Sequence, residues 1–398
     1  MDMDVLTSVS ADTLFSLANN QANEMETLAN QALTNGVDRY MDQDYKGAAL
    51  EFKRALGLSP YSDYAVDATK YLAQSYLQLD DTDKAIGAYK QSLKMLPQRD
   101  DLHVALGNLY IAEERTGEAI ASYEEAVRIY DDAVNRFSLG QAYLKAGRHD
   151  DAESQFREVI RKEPASTSGY FGLGQVYAAK GKHTEAIQEF ERALQQDPEF
   201  WDAYAEMGFT YADAGETAKA EDIKDLLEFK DEGLADLLGS YINKTSKPQM
   251  LFAWSDTSFQ YYLPANTPVS DLGGYLNAPD SSQSMTMVFQ FSKSMDREEI
   301  ENPLNWSIKR ASGHGPGLDY NFGLPIPETE VRISPLPTDI YYDEKNFTAT
   351  VRFTIRQNAY GTGTIDPSHI EFTYSGKDAD GNAMDPKYDQ FMGFSGHF

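Results

Sequence analysis

Leu139-Gly-Gln-Ala-Tyr143, followed by Lys145-Ala-Gly147, Ala152, Phe156, Val159 and Pro164, is one copy of a pattern that returns along the first part of the chain. A glycine precedes an aromatic residue by three positions, an alanine by twelve and an aromatic or bulky residue by sixteen. Gly107, Tyr110, Ala119, Tyr123 and Ala126 form the preceding copy; Gly174, Tyr177, Ala186, Phe190, Ala193 and Pro198 form the next. Upstream lie Ala73, Tyr76, Ala85, Tyr89 and Pro97, with alanine in the glycine slot, and before them Gly36, Ala48, Phe52, Ala55 and Pro60. The last copy, Gly208, Tyr211 and Ala220, breaks off where Lys224 takes the aromatic place. A period of roughly 34 residues, repeated about six times, predicts helix pairs stacked side by side.

The spacing has a physical reason. Two antiparallel helices approach closely only where side chains are small, so the glycine of the first helix and the early alanine of the second mark the crossing, and the aromatics fill the space beside it. Pro60, Pro97, Pro164 and Pro198 stop the second helices, because proline lacks the donor that another turn requires. Lys145-Ala-Gly147 and Lys180-Gly181 read as the turns within pairs. Over roughly residues 30 to 240 the chain resembles the tetratricopeptide repeat family, which implies a superhelix with a groove that binds other proteins.

Composition narrows the possibilities. The chain has 398 residues, 41% of them hydrophobic, and no run of membrane-spanning length. Met1-Asp-Met-Asp-Val-Leu6 lacks the basic-then-apolar order of a secretory signal, leaving a cytoplasmic protein, one whose signal has been removed, or one exported by another, flagellar-type route. Cysteine is absent, which excludes disulfides, thiolate metal sites and a thiol nucleophile. A net charge of −28 repels a polyanion, so nucleic acid is not an expected partner.

The expected fold class is multidomain α plus β: an all-α superhelix of about six helix pairs, then an all-β sandwich. Residues 1–29 read as a capping helix, with Ser10 or Asp12 as its cap and Leu14, Leu17, Ala18, Met25 and Leu28 on one face; a helical export or docking signal is the other reading. Residues 30–243 hold the repeats and their closing helices, marked by Ile223, Leu227, Leu234, Leu238 and Ile242. Residues 244–279 read as linker and lead-in strands, and 280–398 as the sandwich, with strands at Met287–Phe291, Glu330–Ile333, Phe347–Ile355 and Ile370–Tyr374. Val288-Phe-Gln-Phe-Ser-Lys-Ser-Met-Asp296, Asn305-Trp-Ser-Ile308 and Asp378-Ala-Asp-Gly-Asn-Ala-Met-Asp385 resemble, in their order, bacterial Ig-like domains of surface-layer proteins. The Ser312–Gly317 loop and the segment through Pro337 are longer than that family usually has.

In the repeat family the position after the crossing residue faces the groove. Here it holds Gln74, Asn108, Gln141, Gln175 and finally Phe209. A ladder of amides pairs with both donors and acceptors of an extended peptide, unless these are simply exposed positions filled by good helix formers. Three residues before the crossing lie Lys70, Val104, Phe137, Phe171 and Ala205, whose phenylalanines read either as an apolar anchor pocket or as braces between helices. Lys70 and Gln74 match the start of the carboxylate clamp of chaperone-binding repeats, but Ala105, Val134 and Ser138 stand where further amide or basic residues are needed, so no such clamp is expected.

No enzyme motif is convincing, and no cofactor is expected. His149 and His183 occupy equivalent loop positions one repeat apart, and His103 and His314 have no second histidine at metal-ligand spacing. Asp378, Asp380, Asn382 and Asp385 alternate around a glycine as calcium ligands do, but lack the distal glutamate; a hairpin turn built on asparagine and aspartate fits the run better. Two functional classes remain: a scaffold or assembly factor whose groove binds a peptide or helix of a partner, with the β-domain as second contact, and a self-assembling subunit of a surface appendage or layer, forming homo-oligomers or filaments.

Overall fold

The computed structural model describes residues 11–62, 64–255, 259–313 and 318–393. Ser10, His314 and the side chains of residues 11–19 lie outside that description. Helices pair as the repeat dictates: α1 (Ala11–Met41) with α2 (Tyr45–Leu58), α3 (Ala65–Leu77) with α4 (Thr82–Met95), α5 (Asp100–Ala112) with α6 (Thr116–Ile129), α7 (Ala133–Lys145) with α8 (His149–Lys162), and α9 (Thr167–Ala179) with α10 (His183–Gln196). Then come α11 (Trp201–Asp213), α12 (Thr217–Glu228) and α13 (Glu232–Thr245), of which the last two pack together. α1 crosses residue 29 unbroken, so the lead-in and the first helix of the first pair are one element. The chain divides into two compact units, Met1–Thr210 and Tyr211–Phe398.

In the first unit the crossing glycines Gly36, Gly107, Gly140 and Gly174 each lie under the aromatic ring of the second helix. A Cβ on Gly107 would stand 2.7 Å from the Tyr123 ring, one on Gly140 2.8 Å from Phe156, and one on Gly174 2.6 Å from Phe190. Phe156 is pressed from the other side as well: a Cβ on Gly172, in the next pair, would come within 2.4 Å of the same ring. That single fully buried side chain therefore sets both the spacing within its pair and the spacing to the next. Ala85, Ala119, Ala152 and Ala186, the early alanines of the second helices, are completely buried at the crossings.

The turns repeat too. Gln43, Asp80, Glu114, Gly147, Gly181 and Gly215 all take the left-handed conformation, with φ of 63°, 55°, 57°, 71°, 69° and 75°. Such a residue ends a helix by turning the chain so that the next N–H donates back to a carbonyl of the last turn, as Arg115 does to Tyr110, Arg148 to Tyr143 and Lys182 to Tyr177. At three of these turns the next residue is a cation that stacks on the preceding tyrosine: Arg115 lies 4.7 Å from the Tyr110 ring centroid, Arg148 4.3 Å from Tyr143, and Lys182 5.6 Å from Tyr177.

The second unit holds nine strands among its described residues: β1 (Met250–Trp254), β2 (Thr267–Pro268), β3 (Ser282–Phe291), β4 (Trp306–Arg310), β5 (Asp339–Asp343), β6 (Thr348–Arg356), β7 (Thr364–Ile365), β8 (Ile370–Tyr374) and β9 (Gln390–Met392). An antiparallel sheet in the order β1-β3-β6-β5 faces a smaller one in the order β4-β8-β9. Alternate residues of β3 and β6 point inward, and Phe289 and Phe353 each meet Phe372 of β8 with ring centroids 5.3 Å apart. β1 falls in the stretch read as linker and lead-in strands, and it pairs with β3 in the larger sheet. Glu330–Ile333 forms no strand but two isolated bridges, Glu330 to Thr364 and Ile333 to Ile355. Pro325, Pro327, Pro335 and Pro337 flank it and remove the donors a ladder needs.

Lys293, just beyond β3, is 5% exposed and places its ammonium 2.8 Å from the buried Asp378 carboxylate. The same ammonium donates to the carbonyls of Asn243 and Ser246 at the end of α13, and the Asn382 amide donates to that of Lys244. Asp378 also accepts from the N–H groups of Asp380 and Asn382, closing a hairpin turn. Burial would raise the Asp378 carboxyl, but Lys293 and Asn382 outweigh it and hold it below the ordinary range. Of the calcium candidates, Asp378, Asp380 and Asn382 thus gather around a lysine, while Asp385 accepts from Gln249 and Lys387. Among the described residues no group of three or more histidine or carboxylate side chains is placed to hold a metal ion.

One substitution should act with opposite sign at two glycines. Gly172→Ala forces a methyl into the Phe156 ring and should destabilise by about 1–3 kcal/mol, whereas Gly87→Ala, at an exposed position of α4 with nothing within 4 Å, should stabilise by roughly 0.5–1 kcal/mol. Denaturant titration of both variants followed by circular dichroism checks this, and a matching sign would contradict the packing described. Asp378→Asn strands a buried ammonium and should cost about 3–5 kcal/mol. Because the native carboxyl is depressed, the wild-type advantage is present above the unfolded pKa and disappears as pH falls through the native one, which melting curves across acidic pH will reveal.

Candidate partner-binding groove

The first helices of successive pairs touch one another, α1 with α3, α5 with α7 and α7 with α9, and so line one face of the first unit. Along that face, at steps of three and four residues, run Lys70, Gln74 and Leu77 on α3; Val104, Asn108 and Ile111 on α5; and Phe137, Gln141 and Leu144 on α7. Phe171 and Gln175 continue it on α9, and Phe209 stands half-buried on α11.

The amides occur as expected but are not all idle. Gln141 Nε2 donates to Gln175 Oε1 at 3.0 Å, and Gln175 Nε2 donates to Glu206 Oε1 at 3.0 Å, so three helices are tied by one chain of side-chain hydrogen bonds. Asn108 Oδ1 accepts the Tyr123 hydroxyl at 2.6 Å, and burial pushes that phenol up to about 12. Gln74 is exposed. Each linked glutamine retains an N–H for a ligand, since a primary amide has two donors and two acceptor sites.

Phe137 and Phe171 are half-buried and combine the two roles the sequence allows. Phe137 packs on Phe156 at 5.7 Å between centroids, and Phe171 on Phe190 at 5.9 Å and Phe200 at 4.8 Å, leaving one side of each ring toward the face. Lys70 pairs with Asp101 of the next pair at 3.2 Å. Sequence reasoning passed over the apolar components: Val134 is 66% exposed and Leu77 38%. The signal was visible, because Val134 stands in a slot where a clamp would need a polar group.

Glu206 was also missed. It is half-buried at the end of the amide chain. Burial pushes its carboxyl above the ordinary range, the Gln175 amide partly opposes the rise, and the Asp202 charge adds to it. The face is therefore an apolar and amide surface with an acidic end.

Profiles of the tetratricopeptide repeat match residues 72–134, 137–199 and 177–233. The helical region is built of tetratricopeptide repeats. Such repeats are generally scaffolds for protein–protein interaction or assembly rather than enzymes. The general transcriptional corepressor ssn6 of Schizosaccharomyces pombe is 26% identical over 131 residues, 32% of this chain but only 11% of the corepressor. A tetratricopeptide repeat protein from Parabacteroides merdae, 16% identical, aligns over 55% of this chain and 86% of its own with a TM-score of 0.49. MamA, 26% identical, aligns over 44% of this chain and 96% of its own with a TM-score of 0.37.

Glu206→Gln tests the electrostatics of the repeat face. Between the unfolded carboxyl pKa and the raised native one, the native state holds a proton that the unfolded chain has released, so stability falls as pH rises through that window. A glutamine keeps an oxygen for Gln175 without the charge, and should raise the helical melting temperature at pH 7 by about 1–3 °C while giving no gain near pH 4. An equal gain at both pH values would point to packing instead.

Proposed function

We propose that the protein is a non-enzymatic scaffold or assembly factor whose repeat face binds a peptide or helical segment of a partner protein. The observation that carries this reading is the apolar strip left uncovered beside the amides: Leu77 and Val134 stay exposed on helices that could have carried polar residues there. A side chain of the partner seated among Val134, Phe137 and Leu144 supplies burial, and the remaining N–H groups of Gln141 and Gln175 supply direction. The two-sheet region, with its likeness to bacterial Ig-like domains, serves as a second contact. With a net charge of −28, nucleic acid is no part of this proposal.

The test is site-specific photo-crosslinking. A photoreactive residue at position 134 or 74 should give discrete adducts with a protein partner in extracts of the source cells, and one at the exposed outer position Lys94 should not. Val134→Glu, at a position 66% exposed, should abolish the adduct formed from position 74 with an unchanged circular dichroism melt. Adducts from position 94 alone would place binding elsewhere.

A further inference from the structure

A cleft of about 380 Å³ opens in the two-sheet region between β4 and the Glu330–Ile333 segment. Its floor is closed by Ile308, Val331, Ile365 and Ile370, all buried. Its walls carry three cations, Lys309, Arg310 and Arg332, in a chain whose net charge is −28. Such a concentration of positive charge against the overall balance needs a reason, and the side chains behind it are built rather than loose.

The Arg310 guanidinium lies 5.2 Å from the Tyr320 ring centroid and 3.7 Å from Glu330 Oε1. The Tyr320 hydroxyl donates to Glu330 and accepts the Asp366 N–H at 2.9 Å. Asp366, 1% exposed, accepts from Ser368 Oγ and from the Asn321 N–H, both at 2.8 Å, and its carboxylate stands 2.8 Å from His369 Nδ1. This satisfied polar network fixes Tyr320, and through it Glu330 and Arg310, at the wall of the cleft. Lys309 pairs with Glu371 at 2.8 Å, but Arg332 is exposed and forms no ion pair with a described residue.

We infer that this cleft binds a carboxylate carried on an apolar body, with Arg332 and Arg310 holding the carboxylate and Ile333 packing against the apolar group. Planar guanidinium groups match a planar carboxylate through paired N–H donors. Glu330 already occupies part of the positive field, which suits a single negative charge and opposes a phosphate dianion. The cleft size lies within the range of small-ligand sites. The inference is independent of the groove: the cleft belongs to the other unit and uses none of its residues.

Calorimetric titration of the full chain tests it, with N-acetyl-leucine, its amide, inorganic phosphate and a leucine-terminated hexapeptide as probes. N-acetyl-leucine should bind saturably and its amide should not. Arg332→Gln should weaken binding about tenfold, and Arg332→Lys less, since lysine keeps the charge without the fork. Val134→Glu should leave it unchanged. Tighter binding of the hexapeptide identifies a peptide terminus as the source of the carboxylate, and tighter binding of N-acetyl-leucine a free acid. Equal binding of the amide, preference for phosphate, indifference to Arg332→Gln or no heat up to about 10 mM ligand overturns the inference.

Discussion

Contact between an aromatic ring and a bare stretch of helix backbone is the constraint on which the helical part rests. Two helices in a pair can only come as near as the thickest group between them, and here that group is the ring of Tyr123, Phe156 or Phe190 lying on a glycine. Phe156 shows why the arrangement propagates. It is wedged between Gly140 of its own pair and Gly172 of the next, so one ring positions three helices, and the spacing cannot drift without opening a void or forcing a clash. Fixing the pairs in this way brings α5, α7 and α9 into line, and the face they form together follows from that line.

The consequence for binding is a division of labour within single side chains. Phe137 and Phe171 brace the second helices with one edge and offer the other to the face; Gln141 and Gln175 join neighbouring helices and keep an N–H in reserve. A surface whose recognition groups are held by the scaffold loses little conformational freedom when a ligand arrives, and a rigid groove wins affinity mainly by avoiding that loss. Val134 and Leu77 differ, since nothing in the fold requires their exposure.

How far this was legible depended on the range of each interaction. The repeats could be read because glycine, alanine and ring recur at short, fixed intervals, and the turns at Gly147 and Gly181 fell where expected. Asp80 and Glu114 adopt the same left-handed turn without being glycine, and no local signal marked them. The amide ladder was visible as a spacing, but its bonds across consecutive pairs were not. In the second unit, β6 and β8 alternate strongly and were legible, whereas β1 is short, bulged between Met250 and Phe252, and held by partners far along the chain, β3 and the Tyr388 carbonyl. β5 has acidic residues at both ends, Asp339 and Asp343, which disguise the buried Ile340 and Tyr342 between them.

Lys293 illustrates the limit most sharply, and it also changes how the second unit is understood. A lysine in a Ser-Lys-Ser run reads as solvent-exposed, yet its partner Asp378 lies far along the chain and its other acceptors are the last carbonyls of α13. An ammonium so deeply buried is tolerated only because a carboxylate and two helix-end carbonyls together replace its water. The stabilising term is shared among α13, β3 and the Asp378 turn, and none of the three can leave without exposing the cost to the other two. A helix held in this manner belongs energetically to the sheets that follow it. α13 is thus part of the second unit in energy as well as in contact, and an interaction that displaced it would act on the strands that Lys293 and Asp378 adjoin.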